Sequence, residues 1–224
     1  HTAYRRQRQM CIRDRDAIYY LTGDNAETLA ASPQIEGFRA RGVEVLLLSD
    51  AVDSFWPERL GTYEGKALRN VAQGQTDLEK FGAPAESDAE KADMETLVPA
   101  LKTALGETVS DIRATDRLVN SAMVLTAPEG GPDLQLQKLM QRSGQSLPPV
   151  TPVLELNPAP PIIPPLAGLV KDGKSVATLA PILLEVASIQ NGEPPKDVNA
   201  FSRRLMDYLA GGVETAGTEA PSKD

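Results

Sequence analysis

The chain has 224 residues, 41% hydrophobic and 24% charged, a balance that suits a folded globular protein of one large or two small domains. Lys and Arg number 23 against 31 Asp and Glu, for a formal net charge of −8, which argues against a protein that grips a phosphate backbone through clustered cations. The only His and the only Cys are His1 and Cys11, so from Asp16 onward a histidine triad, a cysteine nucleophile, a Cys/His zinc site and a disulfide are all excluded.

Residues 1–15, HTAYRRQRQMCIRDR, carry five Arg and one acidic residue without a helical or strand period, and are expected to be a non-native or disordered leader. Ala17 to Leu21 reads as a strand that leaves into the turn Thr22-Gly23-Asp24. Asp24 or Asn25 can cap the helix that follows, and Ser32-Pro33 starts a second helix that Arg41-Gly42 stops. The apolar run Val43 to Leu48 predicts a strand covered on both faces. Val52 to Leu60 is a third short helix, and Tyr63 to Val71 a last extended segment with a Glu64-Gly65 turn. Strands and helices alternating over short connections predict a small parallel-sheet α/β unit over residues 16–75.

Residues 76–84 read as a linker helix and hinge. A mixed α+β unit is expected over 85–210. Its first helix, Ala85 to Leu105, places Met94, Leu97, Val98, Leu101 and Leu105 on one stripe, and Pro99 should kink or break it. Val109 to Arg113, Leu118 to Thr126 and Pro152 to Leu156 read as strands, with a helix over Leu134 to Arg142 behind the loop Pro128 to Pro132. PAPPIIPP reads as a stiff crossover or a polyproline ligand, followed by helices at Ser175 to Ile189 and Asp197 to Leu209. Residues 211–224 are expected to be a disordered tail. No apolar run reaches the roughly 18 residues of a membrane span.

Two patterns suggest function. In the last two helices Leu179, Ile182, Leu183 and Val186 make one helix apolar nearly all round, while Phe201, Leu205, Tyr208 and Leu209 form a single stripe on the other. Such a pair can close its own core or join a second copy as a four-helix bundle, and periodicity alone leaves both open. Phe55-Trp56, and the helix face Leu136, Leu139 and Met140, would suit an adaptable apolar surface, though each also fits core packing. A different class is a free-standing enzyme: Asp24 and Asp50 follow two strands, and with Asp53 could hold Mg²⁺. The competing reading of those carboxylates is the ordinary helix cap.

The segment IYYLTGDNAETLAASPQIEGFRARGVEVLLLSDAVDSFW, with YEGKALRNV, DIRATDRLVNSAMVL, VLELNP and FSRRLMDYL further along, resembles the bacterial branch of the ninety-kilodalton heat-shock chaperone family. The resemblance runs in register from Asp16 onward. It implies the end of the family's middle domain followed by its dimerisation domain, hence a homodimer that contacts partly folded client proteins in the cytoplasm. It also implies that ATP and Mg²⁺ belong to an N-terminal domain with no counterpart here, so that this segment alone is no enzyme. Two positions depart from the family pattern: Pro160 follows Asn157-Pro158-Ala159 where a His is common, and Ser121 leads into AMVL where a proline-containing turn is usual.

Overall fold

The computed structural model describes residues 16–73, 77–82, 88–129, 134–142, 150–195 and 197–218. The expectations for the leader, for residues 130–133 of the Gly-rich loop and for 219–224 lie outside these.

The first unit is built on strand β1 (Ala17–Thr22), which pairs in parallel with β2 (Val45–Leu48) on one side and β4 (Lys66–Asn70) on the other. A two-residue strand β3 (Thr62–Tyr63) adds antiparallel to β4, giving the order β2-β1-β4-β3. Asn25, rather than Asp24, caps helix α1 (Ala26–Ala30), its Oδ1 accepting from the amides of Glu27 at 2.7 Å and Thr28 at 3.2 Å. Ser32 opens a 3-10 turn at Pro33–Ile35 that runs into α2 (Glu36–Ala40), and Gly42, at φ 64°, reverses the chain toward β2. A 3-10 turn at Ala51–Ser54 then leads into α3 (Trp56–Leu60). Tyr19, Leu21, Leu29, Ile35 and Phe38 bury together, with Tyr19 and Phe38 rings 4.9 Å apart.

One strand expectation is corrected. The strand β2 lies at the sheet edge and leaves Leu46 47% exposed, so it is not covered on both faces. The continuous apolar run signalled double burial, but no element covers the Leu46 side chain at this margin of the sheet. The last extended segment is a hairpin, and Glu64 and Gly65, at φ 49° and 79°, form the two-residue turn expected there. The described part of the expected linker packs on this unit: in the 3-10 turn Asp77–Phe81, Leu78 is buried in its core and Phe81 meets Tyr19 edge-on.

The second unit opens with α4 (Asp88–Leu105), whose Met94, Leu97, Leu101 and Leu105 are buried as the stripe predicted. Pro99 does not interrupt this helix. It sits on the exposed side, where the carbonyl it leaves unpaired is open to water. The strands are β5 (Asp111–Ala114), β6 (Met123–Thr126) and β7 (Val153–Leu156), ordered β5-β7-β6 with β5 parallel and β6 antiparallel to the buried central strand β7. Residues 115–122 form an irregular loop where an early start of β6 was expected. Helix α5 (Leu134–Arg142) falls where the sequence placed it.

Three helices, not two, complete the unit. Helix α6 (Ile163–Lys171) starts within PAPPIIPP, with Pro164 and Pro165 in the first turn, where a missing N–H costs nothing. Its Ile163 and Leu166 are buried against α4. The first five residues of the segment are thus the expected crossover from strand to helix, and its last three belong to the helix itself. Helix α7 (Leu179–Gln190) packs on α4 and β6, and α8 (Val198–Thr218) packs on α7. The last helix continues to Thr218, past the expected end at Leu209 and through Gly211 and Gly212. Extending a formed helix adds one hydrogen bond per residue, which outweighs the roughly 1 kcal/mol propensity penalty of each glycine.

Candidate functional site

Of the eight residues expected at a dimer contact, Leu179, Ile182 and Leu183 are buried within the chain itself. Leu179 and Leu183 belong to the core around α4 and the second sheet. Val186, Phe201 and Leu205 are half-buried, and Tyr208 and Leu209 are 47% and 49% exposed. At the helical period Val198, Phe201, Leu205, Tyr208 and Leu209 lie on one arc of α8. Met206, 64% exposed, flanks them. Helix α7 covers part of this arc and the rest is open. Arg204 reaches across to Glu185 of α7 at 2.5 Å and ties the two helices together.

The client-contact candidates come from two distant parts of the sequence, and the fold brings them together. Helix α5, which carries Leu136, Leu139 and Met140, rests against the turn Ala51–Ser54 that leads directly into Phe55 and Trp56. The three helix residues are half-buried, and Phe55 and Trp56 are 39% and 36% exposed. Asp53 Oδ1 accepts from the Trp56 indole N–H at 2.7 Å and so fixes the ring at the surface. Val52 and Leu60, which sequence reasoning left in an ordinary short helix, are also exposed here and extend the apolar area.

Between the two units lies a cluster of charges that sequence reasoning did not single out. Arg117 is almost wholly buried, its Nε 2.9 Å from Glu155 Oε2 on β7, and it donates from Nη1 to the Val71 carbonyl at the end of β4. Glu155 also accepts from Arg113 at 2.6 Å and from the Thr115 hydroxyl at 3.1 Å. Burial pulls the Arg117 guanidinium below its usual value, opposed chiefly by the neighbouring Glu155. On the facing side, Glu36 at the start of α2 accepts from the amides of Val119, Asn120 and Ser121, and from the Ser121 hydroxyl at 2.6 Å. Arg41 pairs with Asp116 at 2.9 Å, and Ala127 donates to the Ala72 carbonyl. The one available signal was negative: Glu155 is a carboxylate inside an otherwise apolar four-residue strand.

Partial burial raises the Glu36 carboxyl, but the Ser121 hydroxyl and the three amides outweigh it and hold the group below its ordinary 4.5. A depressed carboxyl pKa stabilises the fold above the unfolded value and loses that contribution as pH falls through the folded value. Urea midpoints are therefore expected to stay level above pH 4.5 and to fall below it. Glu36→Gln should remove part of that fall.

The carboxylates of the enzyme reading are not gathered into a site. Asp50 and Asp53 form a reciprocal capping box, with Asp53 Oδ2 accepting from the Asp50 amide at 3.1 Å. A cavity of about 250 Å³ does open at the carboxyl end of β1, but Asp24 lines it while Asp50 and Asp53 do not. Among the described residues no group of three His, Cys, Asp or Glu is placed to hold a metal ion.

A partly parallel α/β sheet is bonded through buried charges to a β5-β7-β6 sheet, and the terminal helices leave an apolar stripe open. The chain belongs to the Hsp90 protein family, whose pattern it matches over residues 8–224, a match that begins inside the stretch expected to be a leader. It is 55% identical over 196 residues to the chaperone protein HtpG of Gluconobacter oxydans, covering 88% of this chain and 31% of that protein. HtpG of Methylobacterium nodulans is 50% identical over 197 residues, covering 88% and 32%, and that of Rhizobium etli 42% over 207 residues, covering 90% and 32%. The chain thus spans about a third of the length of these relatives. Among the described residues no helix is long and apolar enough to cross a membrane.

Proposed function

We propose that this chain supplies the self-association surface and part of the client-binding surface of an ATP-dependent cytoplasmic chaperone, acting in protein folding under stress. Residues 16–75 correspond in this reading to the end of the middle domain, 76–84 to a connection, and 85–210 to the dimerisation domain. The observation that carries it is the open stripe on α8, too apolar for solvent and only partly covered by α7. Two copies of α7 and α8 would complete a four-helix bundle around it, with Val186, Phe201, Leu205, Tyr208 and Leu209 as the contact and Leu179, Ile182 and Leu183 as its inner support. A stable interface of this kind buries on the order of 1,600 Å². The joined surface of α5 and Phe55-Trp56 would then take apolar segments of partly folded proteins. ATP binding and hydrolysis would belong to parts of the longer protein beyond this chain.

Solution mass by light scattering over a range of concentrations tests the association. The expected value is twice 24.0 kDa, persisting on dilution; a monomer throughout would refute the bundle. For the client surface, Trp56→Ala is expected to weaken binding of an unfolded model protein by about thirtyfold, as loss of an aromatic anchor worth about 2 kcal/mol would. Binding titrations by fluorescence anisotropy give that ratio directly, and Met140→Gln should add to it.

A further inference from the structure

We propose that the loop Val119–Ser121 is a preformed carboxylate-binding nest, which Glu36 occupies in cis to hold the two units together and which accepts an external carboxylate when Glu36 is absent. Three successive amides converge on the single oxygen Glu36 Oε2, at 2.9 Å from Val119, 2.9 Å from Asn120 and 3.1 Å from Ser121. Successive N–H groups turned to one point make an anion-binding concavity, and the Ser121 hydroxyl on Glu36 Oε1 completes a two-oxygen site. That is the donor set a planar carboxylate requires.

The nest does not depend on Glu36 for its shape. Asn157, four-fifths of the way through VLELNP, donates its Nδ2 to the carbonyls of both Val119 and Ser121, at 3.2 and 3.0 Å. Its Oδ1 is in turn held by the Ala159 amide at 3.0 Å. The carbonyls are therefore tied back into the second unit, and the amides stay pointed at the first. Close approach of α2 is secured separately. The Gly37 amide donates to the Arg117 carbonyl at 2.7 Å, and a Cβ at Gly37 would lie 2.5 Å from that oxygen. The contact is consequently a plug in a rigid socket. The socket is filled by one replaceable anion, which a free carboxylate or the carboxylate of a polypeptide partner could supply.

Amide hydrogen exchange at Val119, Asn120 and Ser121, in the full 224-residue chain, tests this. Glu36→Ala is expected to speed exchange at these three positions by on the order of a hundredfold, since several charge-assisted hydrogen bonds are lost together. Sodium acetate should restore protection at constant ionic strength, and sodium chloride should not. A short peptide with a free C-terminal carboxylate, compared with its amide, separates the sources: recovery at much lower concentration than acetate indicates a polypeptide ligand, and recovery with acetate alone a small free carboxylate. Unchanged exchange in the variant, or recovery equal in acetate and chloride, overturns the proposal. If Glu36→Ala does not fold, Glu36→Ser leaves the same space with a residue favoured at a helix start, and absence of acetate-dependent protection there overturns it equally.

Discussion

Arg117→Ala is expected to cost the fold about 3–5 kcal/mol, roughly a fifth or more of the stability of an ordinary domain. The guanidinium has no surface to retreat to, and three things rest on it: the ion pair with Glu155, the hydrogen bond to the Val71 carbonyl, and the filling of the space between the sheets. Truncation leaves Glu155 buried with only part of its compensation, from Arg113 and Thr115. A buried carboxylate that loses a partner costs more than the pair contributed. Urea denaturation gives the number through the midpoint and slope. The control is Lys102→Ala, whose ion pair with Asp111 is half-exposed on both sides and should be worth under about 1 kcal/mol. If the two variants lose equal stability, the buried cluster is not the main fastening between the units.

Leu205→Asp should dissociate the assembly proposed for α8 while leaving the chain folded. Leu205 is half-buried, at the middle of an arc whose outer members, Tyr208 and Leu209, are open. A carboxylate there keeps its hydration in a monomer but loses it in a four-helix bundle, so the cost falls on association. A centrally placed apolar contact of this type carries 2–4 kcal/mol, which raises the dissociation constant by about thirtyfold to a thousandfold. Light scattering would then show the mass moving from twice 24.0 kDa to 24.0 kDa at micromolar concentration, with an unchanged far-ultraviolet circular dichroism spectrum. Leu183→Asp provides the contrast. That residue is buried in the chain's own core, so its replacement should unfold the second unit rather than merely separate copies.

Much of the fold could be read from local pattern, because the local signals are strong where one face of an element is buried. The stripe of α4, the caps at Asn25 and Ser32, the stop at Gly42 and the helix at Leu134–Arg142 all follow from spacing or from cap chemistry. What failed, failed for non-local reasons. Val43 to Leu48 has the composition of a buried strand, and only the sheet order shows that its outer side is open. PAPPIIPP has the composition of an extended linker, yet two of its prolines stand in a helical first turn, which position rather than composition decides. The client candidates Phe55-Trp56 and the α5 face were each visible, but their proximity was not. The charges at the junction were least legible of all. Glu36, Arg117 and Glu155 are charges scattered along the sequence, and only the packing of the two units reveals that Arg117 meets Glu155 and that Glu36 meets the loop Val119–Ser121.

The order of strands in the second sheet has a consequence for how the chain is made. The central strand β7 is the last of the three in sequence, so β5 and β6 leave the ribosome with no sheet partner between them. At ordinary synthesis rates the interval from Thr126 to Val153 lasts about 1–5 s, during which neither strand has its sheet neighbour. The same strand brings Glu155, so Arg113 and Arg117 also wait for their counter-charge over that interval. Closure of the second sheet is thus a late event in translation, and nascent chains ending before β7 would carry one finished sheet and the unpaired makings of another.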